Sequence, residues 1–179
     1  MLIREIKPQD DPIIKEIIQT SLESLDLAIE GTAYFDPQLD HLTDYYHALP
    51  CAAYWVVELE NKVVGGIGIT PFDEQKQICE LQKLYLAPEA KGLGIANQLM
   101  ETALSYATQH YRQCYLETMH LLKPACKLYE KFGFHLIADP LAGSEHSTMD
   151  AWYIKELKKT ANKEIFLLSS SFLSIYMNC

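Results

Sequence analysis

Apolar and polar residues recur along the 179-residue chain with two periods, and the periods divide it into strands and helices. Residues 2–6 alternate apolar with charged side chains, which predicts a short half-buried strand. Asp10-Asp11-Pro12 offers a helix cap with proline in the first turn. Behind it Ile13, Ile14, Ile17, Ile18, Leu22 and Leu25 form one helical stripe. Gly31 breaks the chain, and Asp36-Pro37 starts a second, shorter helix through Leu39, Leu42, Tyr45 and Tyr46. Residues 52–59, rich in aromatic and β-branched side chains, predict a strand that returns through residues 63–69 as a hairpin. Gly65, Gly66 and Gly68 weaken that return strand, so they predict a bulge or the close approach of another backbone. Residues 71–74 read as a turn and residues 78–86 as the next strand.

Residues 92–110 form the strongest helical pattern, with Ile95, Leu99, Ala103 and Tyr106 on one side and Ala96, Met100, Leu104 and Ala107 beside them. A strand over 113–118, a helix over 124–132 stopped by Gly133, and strands over 134–137 and 148–154 complete the pattern. The order β-α-α-β-β-β-α-β-α-β-β predicts an α/β (α+β) fold. Its sheet is mixed, mostly antiparallel and six- to seven-stranded, with helices on both faces. One domain accounts for residues 1–157. From Lys158 the chain turns polar, then apolar from Ile165 to Met177. This tail is expected to pack on its own domain or on a second copy of the chain, as a homodimer contact.

Composition narrows the class. Apolar residues at 49% and charged residues at 22% suit a globular protein that needs no disulfide or metal staple. The five cysteines form no C-x-x-C pair and sit at no metal-ligand spacing from a histidine, so no metal site is expected. They read as free thiols of a reducing, cytoplasmic compartment. The start of the chain lacks a signal-peptide pattern, and no run is long enough to span a membrane. A net charge of −9 argues against nucleic-acid binding. The acid is concentrated: between Glu16 and Asn61 there is no Lys or Arg, and nine carboxylates fall there.

The segment from Leu81 to Leu99 carries the most chemical information. A strand runs into a short loop, and Gly92 and Gly94 then open a long helix beside Lys91. The first N–H groups of a helix have no internal partner, and with the macrodipole they form an anion site. A bound phosphate or diphosphate follows from that alone. A dinucleotide fold is one rival, since Gly92-Leu93-Gly94 begins G-x-G-x-x-G and Glu117 ends the following strand as a ribose-binding acid would. Against it, Asn97 holds the third glycine position, and five residues separate the strand from the first glycine.

These residues resemble the GNAT family of N-acetyltransferases. The family signature Q/R-x-x-G-x-G/A, after a strand ending V-x-P or L-x-P, is matched by Leu86-Ala87-Pro88 and then Lys91-Gly92-Leu93-Gly94-Ile95-Ala96, with Lys for the usual Gln or Arg. A second segment, A-x-x-L-Y-x-x-x-G-F, is matched from Ala125 through Leu128, Tyr129, Gly133 and Phe134. Leu122 stands where the family often has asparagine. The resemblance covers residues 2–157 and implies the acyl-CoA N-acyltransferase fold, with acetyl-CoA as co-substrate. It implies that backbone N–H groups of Lys91, Gly92, Leu93, Gly94, Ile95 and Ala96 hold the diphosphate. Leu84, Tyr85 and Leu86 would then line the pantetheine arm, where the strand splays from its neighbour.

Acyl transfer to an amine needs a base for the ammonium, a donor for the oxyanion and a proton for the leaving thiolate. Tyr129 is the candidate acid: an ordinary phenol, with a pKa of about 10, is protonated at neutral pH. Glu80 is the candidate base. Period two would send Glu80, Gln82 and Leu84 to one face and Leu81, Lys83 and Tyr85 to the other. The family points to a backbone N–H near Leu84 as oxyanion donor. His120 and His146 are weaker bases. Cys126, inside a predicted helix, is no nucleophile, so direct transfer in a ternary complex is expected. The alternative is a non-catalytic acetyl-CoA sensor of the same fold. The acceptor, a small-molecule or peptide amine, is expected to be cationic if Asp26, Glu30, Asp36, Asp40 or Asp44 shapes its cleft.

Overall fold

The computed structural model describes residues 1–144 and 148–158. Its elements are β1 (Leu2–Glu5), α1 (Asp11–Glu23), α2 (Leu42–Ala48), β2 (Ala53–Leu59), β3 (Lys62–Asp73), β4 (Ile78–Leu86), α3 (Ile95–His110), β5 (Gln113–Thr118), α4 (Lys123–Lys131), β6 (His135–Ile137) and β7 (Ala151–Glu156). The element order is the one predicted. The strands form one seven-stranded sheet in the order β1-β2-β3-β4-β5-β7-β6. Only β4 and β5 pair in parallel.

Adjacent residues of β2 divide the interior into two layers, as a period of two requires. Trp55 and Val57 join Leu99, Met100 and Ala103 of α3 on one side. Tyr54 and Val56 join Ile14, Ile18 and Leu22 of α1 and Leu42 and Tyr46 of α2 on the other. Residues of α4, among them Cys126 and Tyr129, belong to the α3 layer. In α1 the stripe narrows to Ile14, Ile18 and Leu22, while Ile13 and Leu25 are exposed.

Several boundaries differ from expectation for physical reasons. The helix expected from Gly92 starts at Ile95, because Gly92 and Gly94 take φ of +78° and +76°, outside helical geometry. Strand β3 continues through the expected turn at Pro71 as far as Asp73. A register slip between Pro71 and Asp73 accommodates the proline, which cannot donate to a ladder. The second helix divides into a 3-10 turn over Pro37–His41 and α2. Asp10 does not cap α1 with its side chain. Its carboxylate instead accepts from Arg4 at 2.6 and 3.0 Å and from Lys7 N–H at 2.8 Å. Asp11 accepts from Thr43 N–H and Oγ1 at 3.0 and 2.6 Å, tying α1 to α2. The expected packing of the tail concerns residues 159–179, which lie outside the described residues. No described helix is long and apolar enough to cross a membrane.

Candidate active site

The site begins where the parallel pair ends. β4 and β5 are paired only at Ile78–Gln113, Cys79–Cys114 and Glu80–Tyr115. Beyond that point β4 stays with β3 as far as Leu86, and β5 stays with β7 as far as Thr118. Two strands that follow different neighbours must diverge, and the fork opens into a cavity of about 130 Å³. Glu80, Gln82, Lys83, Leu84 and Tyr85 line it from β4, Glu117 and Thr118 from β5, and Tyr129 from α4.

A bulge in β4 sets which side chains reach the cavity. Gly68 pairs with Gln82 and Gly66 with Tyr85, so Lys83 and Leu84 together oppose Ile67. Lys83 takes a φ of +51°, a left-handed conformation that costs a non-glycine residue about 1–2 kcal/mol. Two contacts hold it there. Tyr54 Oη donates to Lys83 O at 3.0 Å, and the buried Lys83 ammonium pairs with Asp36 at 2.5 Å. The bulge also flips the alternation. Cys79, Leu81, Leu84 and Leu86 pack on the α3 layer, whereas Tyr85 packs on the α1/α2 layer. The expectation that Leu84 shares a face with Glu80 and Gln82 is therefore corrected: one extra residue moves every later side chain to the other face.

The glycines of β3 make room for the scaffold behind this bulge. A Cβ on Gly68 would lie 2.1 Å from Tyr46 Oη, and one on Gly66 at 2.6 Å from Trp55 O, with the Tyr54 ring nearer still. Tyr46 Oη contacts Gln82 Oε1 at 3.4 Å, and Gln82 Nε2 donates to Glu80 Oε2 at 2.5 Å. Glu80 is thus oriented from its own strand, with a buried tyrosine behind its partner.

Tyr129 is buried, its ring centroid 6.1 Å from those of Phe134 and Tyr153. Burial, and then the nearby Cys126 thiol, push its phenol well above the ordinary tyrosine range. Tyr85 is raised by burial, then by Tyr129 and Asp36. On the β5 side, Tyr115 Oη donates to Glu117 Oε1 at 2.9 Å. The Tyr115 phenol is pushed up first by burial, then by Glu117, with a smaller contribution from Glu80. Both carboxylates therefore act on one phenol at the base of the fork.

The mouth of α3 is open. Residues 91–94 are exposed, and a Cβ added at Gly92 or Gly94 would meet nothing within 4 Å. The first bond of the helix runs from Asn97 N–H to Gly94 O at 3.1 Å, and no acid lies in the first turn. The Lys91 amide donates to Pro88 O at 3.2 Å and so is already used; the first amides of a helix, which lack an intrahelical partner, are the groups suited to an anion here. Lys131 of α4 adds a second ammonium, donating to Asn97 Oδ1 at 2.5 Å. Sequence reasoning missed Lys131 and the Lys83–Asp36 pair, since each depends on a contact between distant segments, and it missed the bond from Gln82 to Glu80 two residues away on the same strand. The open cradle, its two cations and the lack of acid fit a diphosphate.

The remaining candidates fall elsewhere. Leu86 pairs with Gly65 and does not line the cavity. His120 is exposed, its N–H donating to Asp150 Oδ1 at 2.7 Å, and His146 lies outside the described residues. Cys126 is buried within α4, its thiol 3.6 Å from Met119 O. Of the five acids expected to shape the acceptor cleft, none lines the cavity; Asp36 reaches it through Lys83, and Asp40 pairs with Lys15.

A forked sheet with an anion cradle at the start of the following helix defines an acyl-CoA-dependent transferase fold. The profile of the acetyltransferase (GNAT) family matches residues 20–134. The chain is 40% identical over 159 residues to the Escherichia coli protein named uncharacterized N-acetyltransferase YjgM, covering 87% of this chain and 95% of that one. A GNAT acetyltransferase of Staphylococcus aureus superposes with a TM-score of 0.75 at 21% identity, covering 88% of this chain and 99% of the other. The Sinorhizobium meliloti phosphinothricin acetyltransferase in complex with acetyl-CoA gives 0.70 at 20% identity, over 91% of each chain. The chain belongs to the GNAT family of acetyltransferases, and acetyl-CoA fits it as co-substrate.

Proposed function

We propose that the chain transfers the acetyl group of acetyl-CoA to a primary amine, directly, in a ternary complex. The observation that carries this reading is that Glu80 and Tyr129, a carboxylate and a protonated phenol, line one cavity at the fork between β4 and β5. Acetyl-CoA supplies the thioester. The amides of residues 92–96, with Lys91 and Lys131, hold its diphosphate end. Glu80, oriented by Gln82, takes a proton from the acceptor ammonium. As the nitrogen bonds to the carbonyl carbon and the C–S bond breaks, Tyr129 gives its proton to the departing sulfur. The second proton released by the nitrogen restores the phenol. Burial keeps Tyr129 protonated, the form that this role requires. The backbone N–H beside the bulge at Leu84 serves as oxyanion donor. Cys126, turned into the interior, supports direct transfer over an acetylated-enzyme route. The position of both candidate groups on the cavity wall favours turnover over acetyl-CoA sensing.

The test is CoA thiol release in a screen of amines, with Tyr129→Phe and Glu80→Gln as controls. Both variants should bind CoA as the wild type does while losing turnover. Wild-type protein that binds acetyl-CoA yet releases no thiol with any amine would overturn the reading.

A further inference from the structure

The apolar walls of the cavity carry more information about the acceptor than the acid-rich stretch of sequence does. Leu22, Leu27, Ala33, Met119, Leu122 and Met149 line the cavity from α1, the loop after it, the segment after β5 and the segment before β7. All six belong to, or pack against, the α1/α2 layer of the core. Thr148 Oγ1 donates to Gly31 O at 2.6 Å, so two of these segments are tied together beside the cavity. Leu122 extends the apolar wall at a position from which a polar side chain would offer an amide.

Among the described residues, the charged side chains that line this chamber are Glu80, Lys83 and Glu117. The Lys83 ammonium is matched by Asp36, and both side chains are buried or nearly so, with 3% and 13% exposure. A positive group whose charge is already matched within hydrogen-bond distance has little left to attract a substrate carboxylate. Glu80 and Glu117 bring two carboxylates to the lining, one from each arm of the fork.

From this juxtaposition we infer the acceptor class: an amine whose ammonium sits between Glu80 and Glu117, and whose body is apolar and carries no carboxylate. Alkylamines and arylalkylamines have this chemistry. This inference rests on the transfer reading above, and it assigns Glu117 as a specificity-determining residue for the ammonium. The cationic acceptor expected from the sequence survives with a different source of charge: two carboxylates of the fork replace the acids of residues 26–44. An amino acid such as aspartate would bring two further carboxylates against an apolar wall that already holds Glu80 and Glu117. A polyamine would bring a second ammonium against leucine and methionine.

The test is a homologous series. CoA release is measured with ethylamine, propylamine, butylamine, isopentylamine and phenethylamine, against ethanolamine, putrescine, aspartate and glutamate. Each added methylene that enters the chamber should raise kcat/KM about fourfold, through a lower KM. Ethanolamine should fall below propylamine, and the acidic amino acids should be poorest. Glu117→Gln should raise KM for isopentylamine at least tenfold and leave CoA binding by calorimetry unchanged. Met149→Gln, a milder change at the rim, should flatten the methylene series. Faster turnover of putrescine, aspartate or glutamate than of isopentylamine would overturn this inference and leave the acetyltransferase reading standing. Release with none of these amines would overturn this inference, and no release with any amine of the wider screen would overturn both.

Discussion

Gly68→Ala tests whether the glycine-rich strand exists to admit the scaffold of the candidate base. The new Cβ would lie 2.1 Å from Oη, 2.5 Å from Cζ and 2.8 Å from Cε1 of Tyr46. Real Cβ contacts of this kind do not occur below about 3 Å, so the ring must move by close to 1 Å. It has little freedom to do so: Tyr46 is 1% exposed, with the rings of Tyr45 and Tyr54 each at a centroid distance of 5.2 Å. Overpacking of a filled core costs about 1–3 kcal/mol, and a boxed aromatic belongs at the upper end. For a domain of this size that is a Tm lower by about 4–10 °C, readable by calorimetry. Activity should fall as well, because the ring stands behind Gln82, and Gln82 holds Glu80 at 2.5 Å. A displacement of this order at a positioned group costs up to about a hundredfold in rate, so kcat/KM for the amine should fall by about ten- to a hundredfold. The KM for acetyl-CoA should stay constant, since the cradle is on another element. Tyr46→Phe keeps the ring and removes only the long 3.4 Å contact, so it should change both quantities far less. A Gly68→Ala protein that melts with the wild type would refute the steric reading. One that melts early with unchanged kcat/KM would refute the link from Tyr46 to Glu80.

Other perturbations address separate parts of the molecule. Tyr129→Phe should lower kcat by about 10²–10⁴-fold, uniformly from pH 6 to 9, since burial raises the phenol and keeps it protonated across that range; a pH–rate profile checks this. Gly94→Ala forces a Cβ onto a φ of +76°, which should destabilise by about 1–2 kcal/mol and weaken CoA binding in calorimetry at least tenfold, although no protein atom stands in its way. Asp10 is a group whose native pKa is depressed: burial raises it, but hydrogen bonds from Arg4 and Lys7 N–H outweigh that effect. Its contribution is therefore complete above the ordinary aspartate pKa and is lost as pH falls through the lower native value. Arg4→Met should destabilise at neutral pH by about 1–3 kcal/mol, and its deficit against the wild type should shrink as pH falls below the ordinary aspartate pKa in acid-unfolding curves.

How far the sequence could be read depends on whether a property is local. The strand–helix order, the glycine loop at Gly92 and Gly94 that opens α3, and the Leu128–Tyr129 segment are local patterns, and the fold has them where the periods place them. The three glycines of β3 signalled close approach correctly: backbone comes up to Gly65 from Tyr85 and to Gly66 from Trp55, and the rings of Tyr54 and Tyr46 also fill the space beside Gly66 and Gly68. Glu117 was legible as a carboxylate at a strand end; only the fork between β4 and β5 makes it a neighbour of Glu80. The acid-only stretch misled in its detail because charge in sequence does not say which way a side chain points. Asp36 and Asp40 are neutralised by lysines outside the stretch, Lys83 and Lys15. The facing of β4 failed for a reason that was visible. Cys79, Leu81, Leu84 and Leu86 keep a period of two on either side of a single three-residue step, and a step of three in a strand marks an extra residue. Reading that step as a bulge places Lys83 at the irregular position and returns Leu84 to the core, the arrangement that Tyr54 and Asp36 hold in place. A strand cannot break register in its interior without compensation, so the same step also predicts that neighbouring segments supply partners for the bulged backbone and side chain. Here they are a buried phenol for the carbonyl and a largely buried carboxylate for the ammonium, and both draw the α1/α2 layer against the fork.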